Sequence, residues 1–342
     1  MTGVAAIGTY HARRDLFSTT MPLNVRLHPR SMVTGRAPAT GVALVAAGAA
    51  LWGTDGALRA PLVTTWSPWT IVLFEHIILT LVVSGYLIRH WRETRNLDAA
   101  GWTSAVAIAW GGSALATLAF TVAFEYGNPD VVVLLQKTQP LWALVAAALV
   151  VGEKPRVEIL YVIAPAAVGT YLLSFGLVSP QQAFTGGQGK AALLALTAAA
   201  LWGSATAFGR RALQQVSSPL LTSLRFTLAL PLLLVIAAFE HAVLPPSGST
   251  GRDWFRLVLL ALAPGLIAML LYYRGLVTTP APVATFAELA FPATALVVNY
   301  VFLDATISAA QFAGLVVLYG TIALLHRMPV RVPADVPVPA PA

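Results

Sequence analysis

The 342-residue sequence contains no cysteine, which excludes disulfides, thiolate catalysis and cysteine-ligated metals. It is also poor in charge: Asp, Glu, Lys and Arg make up 10% of the chain, against 57% hydrophobic residues and a mean hydropathy of +0.75. A soluble chain cannot hide that much apolar surface. There is no Walker motif, no His-Glu-x-x-His pair and no Gly-x-Ser-x-Gly elbow. The expectation is therefore a protein that is not an enzyme, needs no cofactor and does not hydrolyse ATP itself. The net charge of +7 is not gathered into a basic, aromatic-interleaved patch, so nucleic acid is not an expected partner. The first residues lack the apolar core of about 7–15 residues that marks a cleavable signal peptide.

What the chain does contain is a series of apolar runs of about 20 residues, each long enough to cross roughly 30 Å of hydrocarbon. Ten such runs fit, at 41–62, 68–88, 102–123, 130–151, 157–176, 191–208, 219–239, 254–273, 282–302 and 310–325. They divide the chain into a basic tail (1–40), a first group of five spans (41–176), a Gly- and Gln-rich linker (177–190), a second group of five (191–325) and a Pro-rich tail (326–342). Lys and Arg near span ends are retained on the cytoplasmic side. The five arginines of the basic tail, Arg89, Arg92, Arg95, Lys154, Arg156, Arg210, Arg211, Arg274, Arg327 and Arg331 all fall on one side of a ten-span arrangement, and Arg59, Lys190, Arg252 and Arg256 on the other. The expected location is a bacterial plasma (inner) membrane, crossed many times, with both termini cytoplasmic.

The two groups of five resemble each other. Ala-Ala-Leu-Trp-Gly ends at Gly53 in the first span and at Gly203 in the sixth; Pro140 and Pro292 lie centrally in the fourth and ninth spans, and Gly169-Thr170 matches Gly320-Thr321. Because five is odd, the second copy enters the membrane in the opposite sense, which gives an inverted repeat.

These residues resemble a known family. The AALWG pentapeptide that opens each half, the run QKTQPLWALVAAALVVGEKP in the fourth span and ELAFPATALVVNYVFLDA in the ninth are similar to the EamA domains of the drug/metabolite transporter (DMT) superfamily. The resemblance covers about residues 41–325. It implies an all-α integral membrane protein of ten transmembrane helices arranged as two inverted five-helix repeats. It also implies a secondary transporter of small organic metabolites working by alternating access, with export of amino acids or related compounds as the leading expectation. A lipid-linked metabolite flippase is the nearest alternative; an intramembrane enzyme and a channel stand further off. Expected partners are a small-molecule substrate, the lipid bilayer and a coupling proton, with the chain acting as a monomer or homodimer.

An ionisable side chain at the centre of a span costs at least about 2.5–3.5 kcal/mol, so each needs a partner or a task. By depth, Asp55, Glu75 and Lys137 form a layer toward the outer face, and Arg225 and Glu288 a layer toward the cytoplasm. Glu75 is expected to pair with Lys137, and Arg225 with Glu288. The two readings are a lock between helices and a gate or substrate site. Gln136 aligns with Glu288 across the repeat, and His76 is the candidate for proton coupling. Trp52 and Trp202, with Trp110 and Trp142, lie deeper than the interfacial belt and are candidates to wall a cavity. Pro140 and Pro292 are candidate helix kinks. No metal ligand set is expected.

Overall fold

The computed structural model describes residues 34–35, 39–126, 135, 138–146, 149, 157–179, 181–182, 189–303, 308–327 and 330–331. Lys137 and Gln136 lie outside them. The first half contains α1 (Ala39–Val63), broken by a turn at Gly53–Thr54, then α2 (Pro68–Asn96), α3 (Ala99–Tyr126), α4 (Gln139–Ala146) and α5 (Val157–Phe175). The second half contains α6 (Gly189–Ala212), α7 (Ser218–Phe239), α8 (Gly251–Leu276), α9 (Ala281–Ala287), α10 (Ala290–Leu303) and α11 (Ala309–Arg327). Helices α1, α2, α3, α6, α7 and α8 are each long and apolar enough to cross a bilayer. Helices α4 and α5 fall on the expected fourth and fifth spans, α9 and α10 on the ninth, and α11 on the tenth. Residues Thr34–Gly35 (β1) pair antiparallel with Val330–Arg331 (β2).

Local chemistry sets the helix starts. Ser67 caps α2 by accepting from the Thr70 N–H at 3.2 Å, with Pro68 in the first turn. In the equivalent place Ser217 precedes α7, and its N–H and hydroxyl are both taken by Glu93 at the end of α2. Asp98 caps α3 through the Gly101 N–H at 2.6 Å, and Thr250 with Asp253 forms a capping box on α8. Each satisfies donors that the first turn leaves without an acceptor.

The packing repeats by exchange of the two halves. Helix α1 lies on α8 as α6 lies on α3; α1 meets α9 and α10 as α6 meets α4; α2 packs on α7, and α5 on α11, each against its own counterpart. This is the pattern of a pseudo-two-fold axis in the membrane plane. The glycine ending each AALWG motif makes the approach possible. A Cβ on Gly53 would lie 2.7 Å from the Phe291 carbonyl oxygen, and one on Gly203 would lie 2.7 Å from the Gln139 carbonyl oxygen. Phe291 and Gln139 each precede the proline of the facing helix, so the motif marks one contact made twice.

Span three and span eight share a second device. The Ala116 N–H bonds to the Gly111 carbonyl and the Ala268 N–H to the Ala263 carbonyl, each five residues back, within π-helical segments Ala107–Leu115 and Ala261–Ile267. Such bulges are rare and release carbonyls from the α-helical ladder. Prolines 140 and 292 sit in the first turns of α4 and α10. There a missing N–H costs no helix bond, and the interruption lies just before each: a turn at Thr138, and Glu288–Leu289 between α9 and α10.

Candidate functional site

Four of the five charged residues singled out in the sequence, Asp55, Glu75, Arg225 and Glu288, line one cavity between the halves. Its empty volume is about 1140 Å³ including the open mouth.

The first half contributes an acidic pair sharing one cation. Arg59, one turn after Asp55 on α1, is 3% exposed. Its Nε donates to Asp55 Oδ1 at 2.6 Å, and its Nη2 to Asp55 Oδ2 at 2.7 Å and to Glu75 Oε2 of α2 at 3.1 Å. Nη1 donates to Thr121 of α3 at 3.4 Å. Arg59, counted in the sequence among the cations outside the spans, is thus a buried residue of the cavity wall and bonds Glu75; Lys137, the expected partner of Glu75, lies outside the described residues. The i, i+4 spacing of Asp55 and Arg59 is the signal that could have found it, since that spacing stacks two side chains on one helix face.

The second half separates its charges. Arg225 of α7 has Nε on Ser113 Oγ at 2.6 Å, Nη1 on the Tyr273 hydroxyl at 2.9 Å and Nη2 on the Gly112 carbonyl at 2.9 Å. The carbonyl is available because the Ala116 N–H, its α-helical donor, goes to Gly111 instead. The same oxygen accepts Trp202 Nε1 at 2.9 Å. Glu288 does not pair with Arg225. It accepts from Gln139 Nε2 of α4 and from the Thr206 hydroxyl of α6 at 3.4 Å, and Thr206 in turn accepts from Tyr272 at 2.9 Å. Arg225 thus rests on neutral acceptors and Glu288 on neutral donors, both facing the same cavity. Sequence reasoning missed Ser113, Thr206, Tyr272, Tyr273 and Gln139, because a neutral hydroxyl or amide within an apolar span carries no mark of its role.

Two aromatic pairs complete the walls. Trp52 lies 5.1 Å from Tyr272, and Trp202 lies 5.2 Å from Phe120, centroid to centroid. All four line the cavity, and the pseudo-two-fold exchanges the pairs: each is an AALWG tryptophan of α1 or α6 with an aromatic of α8 or α3. Trp110 and Trp142 are elsewhere, 48% and 42% exposed on the outer surface. His76 lines the cavity next to Glu75. Among the described residues no group of His, Asp and Glu is arranged to hold a metal ion.

A helical membrane protein of two inverted repeats around a polar, aromatic-walled cavity has an architecture common among transporters. The sequence profile of the EamA-like transporter family matches residues 39–175 and 189–327, and the chain belongs to that family, within the drug/metabolite transporter superfamily. It is 30% identical over 292 residues to the riboflavin transporter ImpX of Fusobacterium nucleatum, covering 84% of this chain and 98% of that one. A solved crystal structure with 19% identity, covering 85% of this chain and 98% of its own, superposes with a TM-score of 0.67 and shares the fold.

Proposed function

We propose that the protein is a secondary carrier for a flavin-type cargo, a planar heteroaromatic ring bearing a polar chain, moved by alternating access. The observation that carries this reading is the pair of aromatic walls, Trp52 with Tyr272 and Trp202 with Phe120. Offset and edge contacts to a flat ring are worth about 0.5–1.5 kcal/mol each beyond area burial. The name of the Fusobacterium relative supports the same class. Amino-acid export draws less support: most amino acids make little use of two aromatic walls.

The inverted repeats supply two equivalent half-sites that can exchange roles, which is the usual basis of alternating access. Cargo direction then follows the gradients, so export and import are one cycle run in opposite senses. Residence in the plasma membrane with both termini cytoplasmic fits the cation distribution. The pairing of Thr34–Gly35 (β1) with Val330–Arg331 (β2), which puts the segment before the first span beside the one after the last, agrees with it.

The test is counterflow. Liposomes holding the purified protein and loaded with unlabelled riboflavin should transiently accumulate labelled riboflavin above the outside concentration, and unlabelled amino acids should not drive that accumulation. Equilibration without overshoot would indicate a channel, and absence of riboflavin flux would overturn the cargo assignment.

A further inference from the structure

His76 is 2% exposed and lines the cavity. Its Nδ1 lies 2.9 Å from the Val72 carbonyl one turn back. A carbonyl only accepts, so Nδ1 carries the proton and Nε2 presents a lone pair. Nε2 is buried and has no hydrogen-bond partner among the described residues. Buried acceptors are nearly always satisfied, and this one belongs to a side chain on the wall of a substrate cavity.

The groups around it define what could satisfy it. Phe226 of α7 meets the imidazole edge-on at 5.9 Å, so the approach is through an apolar, aromatic environment. Arg225 and Arg59 lie within electrostatic reach of the ring and line the same cavity. A guanidinium has five N–H donors. Three of those on Arg225 and four on Arg59 have partners, leaving each at least one unused among the described residues. The wall therefore offers an acceptor and two sources of donors. A cyclic imide, an N–H between two carbonyls, is the complementary edge, and an isoalloxazine ring ends in one.

We propose that His76 Nε2 accepts the imide N–H of the flavin ring while the unused N–H groups of Arg225 and Arg59 serve its flanking carbonyls. This assignment rests on the flavin reading. It makes His76 a neutral recognition residue during binding, in place of the proton carrier expected from the sequence. It also gives the cavity discrimination against rings of similar shape that lack the imide donor.

The test is an equilibrium titration of the full-length protein in detergent, read by quenching of flavin fluorescence, with riboflavin and with 3-methylriboflavin, whose imide nitrogen has no hydrogen. Wild type should prefer riboflavin by about tenfold or more. His76→Phe, which keeps a ring but removes the acceptor, should bind both equally, and His76→Gln, which can place an amide oxygen near the Nε2 position, should retain part of the preference. A purely steric rejection of the methyl group would persist in His76→Phe, and that result would overturn the proposal. Equal binding of the two flavins by wild type would overturn it too, with no variant needed, and would point to a ribityl hydroxyl as the donor. Failure of wild type to bind either flavin would overturn the cargo assignment itself, a result distinct from equal binding.

Discussion

Arg225 donates to the carbonyl oxygen of Gly112 at 2.9 Å, a contact that exists because the π-helical segment of α3 releases that oxygen from the helix ladder. The guanidinium also reaches Ser113 and Tyr273, so one side chain of α7 ties α3 to α8. Lysine offers three donors from a single point and cannot span these acceptors. Arg225→Lys is expected to lower stability by about 2–3 kcal/mol and to reduce riboflavin flux. Thermal melting in detergent beside counterflow checks both, and an unchanged melt would show that the bridge adds nothing.

Arg59 is shared by two carboxylates, and its side chain is 4% exposed. Arg59→Met leaves Glu75 buried without its cation and should cost about 3–5 kcal/mol. Adding Glu75→Gln should recover part of that loss, since a neutral amide costs less to bury. A double variant no more stable than the single one would contradict the pairing.

Gly203→Ala should be destabilising by about 1–3 kcal/mol, because its Cβ would fall 2.7 Å from the Gln139 carbonyl oxygen. Gly53→Ala should behave alike by the repeat. Gly56→Ala, where nothing lies within 4 Å, should be neutral or slightly stabilising. Equal melting temperatures for all three would remove the close-approach explanation of the AALWG motif.

Asp98 links two loops. It accepts from the Gly101 N–H and from Gln215 Nε2 at 3.1 Å, while its own N–H donates to Gln215 Oε1 at 3.0 Å. The Gly101 N–H first, and Gln215 next, hold its carboxyl below the usual aspartate range. A depressed folded-state pKa gives stability that is present above the unfolded value and lost as pH falls through the folded one. Asp98→Asn should therefore flatten the fall in melting temperature through the carboxylate range. A fall as steep as in wild type would place the acid sensitivity elsewhere.

The fold was legible because its signals are long: apolar runs of span length, a cation bias between them and the repeated AALWG. The site was legible in part. Depth along a span follows from counting residues, and that singled out Asp55, Glu75, Arg225 and Glu288. Which way each side chain faces depends on helix rotation, and that misassigned Arg225 and Glu288 to each other. Arg59 read as a cation of the span's outer end because it lies three residues before the end of its apolar run, although α1 turns at Gly53–Thr54 and carries it back against Glu75. The partners of Arg225 required a π-helical segment, which Gly111 and Gly112 permit but no composition announces.

The central claim is that the cavity shared by the two repeats is where cargo binds. With no native cysteine, Thr117→Cys on the cavity wall and Ala99→Cys on the exposed first turn of α3 each give a single labelling site. Saturating riboflavin should slow maleimide labelling of the Thr117→Cys protein severalfold and leave that of the Ala99→Cys protein unchanged. Labelling at both sites that ignores riboflavin, in protein that transports it, would place the cargo outside this cavity and contradict the account.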